Sequence, residues 1–263
     1  NFIGGVPFDN RTFPVKEPVA RLLGAKNLKP ETSNNLSVGL TFQPVPGFTA
    51  SVDYYNIKID DRIVLSSTFI DSGTTLIKDF LAANGQAQAV GGRYFTNAVD
   101  TTTEGIDVNG RYTIKTDGAG KFTFTAGYNH NTTKVTRFSD TPAQLKALTT
   151  IPLFDVTEKI RMEKGQSKDN FNATINWDFK KFSFLTRFVR YGEVSVVQTD
   201  NSGWAAARIA ELTPGYKTAF APAVPTINAA GVVSPNTNQQ VIQTFGAKWL
   251  TDLDLSYQIS KRV

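Results

Sequence analysis

The sequence predicts an all-β protein: an antiparallel, up-and-down transmembrane β-barrel segment of about seven long strands. Tight turns lie on one rim, and long loops carrying short helices lie on the other. Three observations predict it. Apolar and polar residues alternate with period two through successive segments, the pattern of strands with one dry and one wet face. The connections between these segments are by turns tight and long. The polar phase carries charges that a sealed core would each have to pair.

Residues 1–35, rich in Pro, Asn and Gly, read as a loop leading in, with a short turn of helix at Val19 to Leu23. The first hairpin spans 36–60. Leu36, Val38, Leu40 and Phe42 alternate with Ser37, Gly39, Thr41 and Gln43, and Phe48, Ala50, Val52 and Tyr54 with Thr49, Ser51 and Asp53. Pro44-Val45-Pro46-Gly47 supplies the turn. After Tyr54 the phase changes: Tyr55, Ile57 and Ile59 become the apolar set. A bulge would explain the change, as would emergence of the strand above the bilayer, and emergence is the favoured reading.

An insertion from Asp60-Asp61 to about Tyr94 holds Leu76, Ile77, Phe80 and Leu81 at helical spacing, with Asp71 or Ser72 as cap and Gly85 as stop. Such a helix is expected to pack its apolar face on the barrel rim. The second hairpin spans 95–134. Ile106, Val108, Gly110, Tyr112 and Ile114 face one way, as do Phe122, Phe124, Ala126 and Tyr128 across the turn Asp117-Gly118-Ala119-Gly120, whose Asp-Gly is expected to supply a positive φ. Thr141-Pro142-Ala143-Gln144 predicts a helical turn capped by Thr141.

The third hairpin is placed at 157–198, with 157–179 as the longest strand candidate and Lys180-Lys181 as its turn. Phe171, Ala173, Ile175 and Trp177 form its apolar phase, followed by Phe182, Phe184 and Phe188. Thr186 falls in that apolar phase, and Leu185 and Val189 fall in the polar one. Residues 192–245 read as a long loop with a short helix at Trp204–Leu212. The last strand, 246–260, sets Trp249, Leu253, Leu255, Tyr257 and Ile259 against Lys248, Asp252, Asp254, Ser256 and Gln258, with Leu250 and Thr251 out of phase.

Composition removes other classes. There is no Cys and a single His, His130, so neither a disulfide framework nor a multi-histidine metal centre is available. His130 reads as a wet-face or strand-end residue. The net charge of +5 is spread along the chain, without the basic stripe of a nucleic-acid binder. No run approaches the ~18 apolar residues of a membrane helix, but a barrel's lipid face uses only alternate residues. No nucleophile elbow, phosphate loop, zinc helix or dinucleotide fingerprint occurs. Asp60 and Asp61 invite a glycosidase reading, but neighbours on a strand point to opposite faces. No enzyme activity and no cofactor are expected.

The charged residues of the polar phase are Asp53, Asp107, Arg111, Asp178, Arg187, Lys248, Asp252 and Asp254. A lipid-facing Arg or Lys costs ~2–4 kcal/mol at mid-bilayer, so these eight are candidates for a water-filled lumen. Aromatics fall near both strand ends (Phe48 and Tyr54, Phe122 and Tyr128, Phe182 and Phe188, Trp249 and Tyr257). The six to eight alternating residues of each strand span roughly 15–20 Å when tilted.

Several stretches carry a resemblance. Leu28-Lys29-Pro30-Glu31-Thr32-Ser33, the Pro-Gly turn and Val52-Asp53-Tyr54-Tyr55 come first. Phe95-Thr96-Asn97-Ala98-Val99-Asp100 with Glu104-Gly105-Ile106-Asp107 follows, then Tyr128-Asn129-His130-Asn131-Thr132-Thr133-Lys134, Arg161 to Gln166, and Trp249 to Tyr257. Together and in this order they resemble the C-terminal barrel half of TonB-dependent outer-membrane receptors, Arg161 to Gln166 and Trp249 to Tyr257 resembling late strands. The resemblance runs from Leu28 onward and corresponds to about strands 14 to 20 of a 22-stranded barrel. It implies energy-coupled import of a scarce ligand (siderophore, carbohydrate or other large nutrient) across the outer membrane of a Gram-negative bacterium. Outer-membrane lipid, a plug domain and the TonB energy-transducing complex are the implied partners. The ligand and its binding residues are not legible.

A passive porin-like barrel shares the strand pattern and differs in lacking a plug. A soluble ligand-binding or adhesin β domain would be recovered without detergent. The chain starts at Asn1 without an initiator Met and ends just after a strand, so it is expected to be a fragment whose seven strands form an open sheet with two unpaired, aggregation-prone edges.

Overall fold

The structure, a computed structural model, describes residues 9–71, 74–199 and 240–259, with strand segments at 2–3, 6–7, 217–220, 226–227 and 233–234. Seven antiparallel strands make the main sheet: β4 (Thr32–Phe42), β5 (Phe48–Leu65), β7 (Gly91–Thr116), β8 (Gly120–Phe138), β9 (Asp169–Phe179), β10 (Phe182–Tyr191) and β16 (Lys248–Tyr257). They pair in the order β16-β10-β9-β8-β7-β5-β4, so each strand lies beside its neighbour in sequence and the sheet is open, with β4 and β16 at its ends. Four further short strands flank β7 or precede it: β3 (Asn10–Phe13) pairs with it in parallel, β6 (Phe69–Ile70) antiparallel, and β1 (Phe2–Ile3) pairs with β2 (Val6–Pro7).

The tight connections use local chemistry. Gly47 takes φ 83° to close the β4–β5 turn, where its carbonyl accepts from Thr113 N at 2.8 Å. In the β7–β8 turn the positive φ falls on Gly120 (87°) rather than at Asp117-Gly118, and Thr116 Oγ1 braces the loop by accepting from Ala119 N at 3.1 Å. Lys180 adopts φ 55° in the two-residue turn between β9 and β10.

Cross-strand register resolves the sheet into rows. One face carries Leu40, Val52, Val108, Tyr128 and Phe171 across five strands; the row nearer the turns carries Phe42, Ala50, Gly110, Ala126, Ala173 and Phe188. Below these run Phe48, Tyr112, Phe124, Ile175, Thr186 and Leu253, then Ile114, Phe122, Trp177, Phe184 and Leu255. Apart from the buried Ala50, these side chains are exposed or half-buried, with Leu253 and Leu255 at 70% and 71% exposure. Ile106 to Ile114 covers about 26 Å along the strand, or about 20 Å once tilted as in membrane barrels.

Two of the out-of-phase positions, Val189 and Leu250, meet. Val189 of β10 lies directly opposite Leu250 of β16, and Phe188 opposite Thr251. An apolar pair on the polar face thus supports itself across the strands.

Above the band the strands β5, β7 and β8 continue, and the sheet exchanges its faces. The pairing Thr32↔Asp60 through Phe42↔Ala50 is unbroken past Tyr54 and Tyr55, so no bulge causes the change of phase. The irregularity comes later, at Asp61, whose φ is 52°. Ile59, Thr101 and Val135 share a row here, and Thr101 is buried. Val135 packs against the protein's main hydrophobic cluster.

That cluster is built by the long connections. α1 (Pro18–Leu22) has Pro at its first turn and ends at Gly24 (φ 98°), with Ala25 N donating to Ala20 O at 2.9 Å. α2 (Leu76–Ala83) ends at Gly85 (φ 78°), with Gln86 N donating to Leu81 O at 2.8 Å. Both are Schellman endings. Val19, Leu23, Phe69, Ile77, Leu81, Tyr94, Val99, Leu145, Leu153 and Phe154 are buried together.

Several expectations are corrected. Thr75, not Asp71 or Ser72, is the N-cap residue of α2, but Asp71 still satisfies the helix start from six residues upstream: Oδ1 accepts from Ile77 N at 2.7 Å and Oδ2 from Lys78 N at 3.1 Å. Leu76 is exposed, so the buried stripe is Ile77 and Leu81. Thr141 does not cap α3 (Ala143–Lys146); its Oγ1 accepts from Leu153 N instead.

The expected strand start at 157 is helix α4 (Val156–Lys164), so Arg161 to Lys164 are helical and β9 begins only at Asp169. Asp155 Oδ1 accepting from Glu158 N at 3.0 Å, with Gly165 as C-cap, marks a helix that the Asp-x-x-Glu spacing would have signalled. The leading segment 1–35 contains β3 and α1, and β4 starts at Thr32 rather than Leu36. Residues 192–245 are not a plain loop: β11 (Val194–Thr199), β15 (Gln240–Phe245) and β12 (Lys217–Phe220) form a three-stranded antiparallel sheet, and β13 (Thr226–Ile227) pairs with β14 (Val233–Ser234). The helix expected at Trp204–Leu212 lies outside the described residues, as do residues 260–263.

Candidate functional site

The face opposite the apolar band is the candidate site, because strand alternation collects its polar side chains into one field. Register places all eight charged candidates there. Gly39, Asp53, Asp107, Asn129, Asn170, Tyr191 and Lys248 form one row; Thr49, Arg111, Thr125, Thr174, Arg187 and Asp252 form another. Leu185 faces Asp254, and Asp178 faces Lys121 and Ser183.

Within the field the charges are handled differently. Arg187 and Asp252 join through Nε and Nη2 at 2.8 and 2.6 Å. Asp178 receives Ser183 Oγ at 2.8 Å, Asn176 Nδ2 at 3.0 Å and Lys121 Nζ at 3.1 Å. Asp53 and Asp107 lie opposite each other as like charges, and Asn129 Nδ2 donates to Asp107. The carboxylate of Asp53 folds over Gly39, and the Tyr55 ring folds over Gly105, places where a Cβ would collide with them. Asp254 accepts from Ser256 Oγ at 2.8 Å. Arg111 and Lys248 make no side-chain hydrogen bond or ion pair with described residues.

The candidates drawn from the sequence were charged residues and left out the amides of this field, although Asn109, Asn129, Asn172 and Asn176 fall in the polar phase. Asn109, Asn129, Asn131, Asn172 and Asn176 share the polar face, and Asn131 Nδ2 donates to Asn129 Oδ1 at 2.8 Å. Their signal was present, since each sits in the polar phase of its strand, but attention to charge alone passed over them. Also missed was a charged knot above the band. Arg137 grips Asp100 through Nε (2.5 Å) and Nη2 (2.7 Å) and reaches Asp61 at 3.0 Å, while Asp100 accepts the bulge amide of Asp61 at 2.8 Å. Arg137 holds the Asp100 carboxyl below the usual carboxylate range. Asp61, expected to follow simple strand alternation, leaves the ladder here.

The knot borders a cavity of about 230 Å³, lined by Lys26, Lys29, Asp61, Tyr94, Asn97 and Asp140 among others. Burial pushes the Tyr94 phenol up to about 12, and its hydroxyl donates to Leu23 O at 3.2 Å. A second cavity of about 460 Å³ lies where α4, β9, β10 and the β11–β15 pair approach each other. His130 falls not on the wet face but in the row of Val38, Tyr54 and Ile106, at the upper margin of the band, with Nδ1 2.7 Å from Asp169 Oδ1. Among the described residues no group of three or more His, Asp or Glu side chains is placed to hold a metal ion.

An open antiparallel sheet with one apolar and one polar face, short turns below and elaborated loops above, is the architecture of an outer-membrane barrel wall. The model of the TonB-dependent receptor-like β-barrel matches residues 8–263, and the chain belongs to that family. Its barrels lie in the outer membrane of Gram-negative bacteria, and the chain is part of an outer-membrane receptor. No curated protein matches it.

Solved structures that resemble it include the FrpB iron transporter of Neisseria meningitidis (12% identity, 89% of this chain and 25% of that one, TM-score 0.46) and the siderophore receptor PirA of Acinetobacter baumannii (15%, 89% and 26%, TM-score 0.46). The ferric enterobactin receptor PfeA of Pseudomonas aeruginosa, in a mutant form, aligns at 14% identity over 89% of this chain and 24% of its own, with TM-score 0.44. The chain spans about a quarter of the length of these structures.

Proposed function

We propose that this chain forms part of the wall of a receptor for TonB-coupled active import of a scarce ligand, such as a siderophore, a carbohydrate or another nutrient too large for porins. The single observation that carries the reading is the two-faced sheet: its apolar band meets outer-membrane lipid, and its polar field lines a lumen. In that lumen Asp53, Asp107, Arg111, Asp178, Arg187, Lys248, Asp252 and Asp254 face water or the receptor's plug domain. Arg111 and Lys248, without partners on the sheet, are available to polar groups of the plug. The loop-side cavities belong to the face where ligand arrives.

The wall itself performs no covalent chemistry. Its contribution is a rigid, solvated passage, with the TonB complex supplying work through the plug. The test uses cells carrying the whole receptor. Uptake of the candidate ligand is expected to stop when the proton gradient is collapsed, with the receptor still in the outer-membrane fraction. Uptake that survives an uncoupler would mark a passive porin, and recovery as a soluble periplasmic monomer would mark a soluble β domain.

A further inference from the structure

The sequence holds two Asn-Gly pairs, Asn84-Gly85 and Asn109-Gly110. Asn is a chemically labile side chain, and most so before Gly, whose backbone amide no side chain shields. The glycine nitrogen can attack the side-chain amide carbon of the asparagine, provided the backbone is free to turn the two together. The fold gives the two pairs opposite surroundings.

Asn109-Gly110 lies inside β7, where Gly110 pairs with Ala50 on one side and Ala126 on the other. Bringing Gly110 N onto the Asn109 side chain would pull the strand out of both ladders. Asn84-Gly85 instead ends α2. Both residues are exposed, and neither pairs in a ladder. Gly85 takes φ 78°, and its N donates to Ala82 O at the long distance of 3.2 Å. Attack here requires only the last helical turn to open, a local event far cheaper than breaking a central strand.

The side chain at risk has a task. Asn84 Nδ2 donates to Phe80 O at 2.8 Å, satisfying one of the helix's last carbonyls. Leu81 on one side is wholly buried, and Gln86 on the other accepts from Arg11 of β3 at 2.8 Å. The pair therefore sits between two anchors of the loop cluster.

We infer that Asn84 is a deamidation site, at which spontaneous loss of the side-chain amide loosens the end of α2. Gly85 N bonds to Asn84 Cγ, the Cγ–Nδ2 bond breaks, and ammonia leaves with the proton from Gly85 N. Water then opens the cyclic imide. Opening at Cγ gives aspartate; opening at the backbone carbonyl gives isoaspartate, whose chain runs through Cβ and Cγ. One water enters, one ammonia leaves, and nothing is oxidised. Either product loses the donor to Phe80 O and adds a carboxylate at the helix end where negative charge is unfavourable. Isoaspartate also lengthens the backbone between Leu81 and Gln86.

The test uses the whole receptor, its fold checked by heat-modifiable electrophoretic mobility, aged in mildly alkaline buffer made with heavy-oxygen water. Peptide mapping counts labelled aspartate and isoaspartate at each position. In the folded receptor, label is expected to enter at Asn84 about tenfold faster than at Asn109. After heat unfolding in urea the two rates should converge, because the fold alone separates the pairs. Equal rates in the folded receptor, or faster entry at Asn109, would overturn the inference. So would a difference that persists in urea, which would trace it to neighbouring residues instead. Asn84→Asp, which carries the charge of one product, should speed hydrogen exchange of α2 about two- to fivefold. Unchanged exchange would remove the loosening.

Discussion

The lower and upper halves of the same strands obey opposite rules. In the band, β5 and β7 turn Val52, Tyr54, Ile106 and Val108 to the exposed face and keep Asp53 and Asp107 on the polar one. A few residues higher, Asn56, Lys58 and Glu104 take the outer rows, and the apolar residues Ile57, Ile59 and Val135 take the other face. There Val135 packs against the cluster that holds Leu81, Phe69 and Val99, which are wholly buried. The backbone does not break between the halves; the surroundings change. Where lipid bathes the wall, apolar side chains gain by facing out. Where water does, they gain by facing the loops that fold over them.

The largest expected effect tests the upper half. Phe69→Ala empties a wholly buried site beside Tyr94, 5.9 Å away between ring centres, and should cost ~3–5 kcal/mol of local stability. Hydrogen exchange of α2 and the upper part of β7 should accelerate while exchange in the band stays slow. If the band loosens equally, the two halves are one cooperative unit and the contrast is false.

Next, Val108→Arg puts a cation into the band and should cost ~2–4 kcal/mol in urea unfolding from lipid vesicles. Asn109→Arg, one residue along on the polar face, should cost far less. Equal losses would erase the distinction between the faces.

Asp100→Asn should cost about 1.5–3 kcal/mol of stability above the band, the worth of a charge-assisted hydrogen bond. Its carboxyl titrates low in the folded protein because Arg137 holds it. The knot's stability is therefore present above the ordinary carboxylate range and lost as pH falls through the depressed value. Proteolytic nicking around Asp61 should rise in acid in the wild type, and the rise should be smaller in Asp100→Asn. The smallest effect is Asp71→Ala, about 0.5–2 kcal/mol as for a lost helix cap, read as faster exchange of the Ile77 and Lys78 amides.

Strand segments, tight turns and the two faces were legible because alternation is a local property of the chain. So were the short turn of α1 and helix α2, whose spacing and Gly85 stop sit within a dozen residues. The polar field was half legible: its eight charges stand in the polar phase, but the asparagines between them carry no charge to draw notice. α4 was missed because a charged amphipathic segment beside a strand was read as more of that strand.

By itself, then, the sequence determined which residues alternate, where the chain must turn and that one face of the wall is apolar. Only the tertiary structure decided that Val189 and Leu250 cancel each other's error, and that Asp61, Asp100 and Arg137 form one knot. Each of these joins residues from different strands or from a strand and a distant loop. Register between strands and the packing of the loops set those distances, and neither is written in any single stretch.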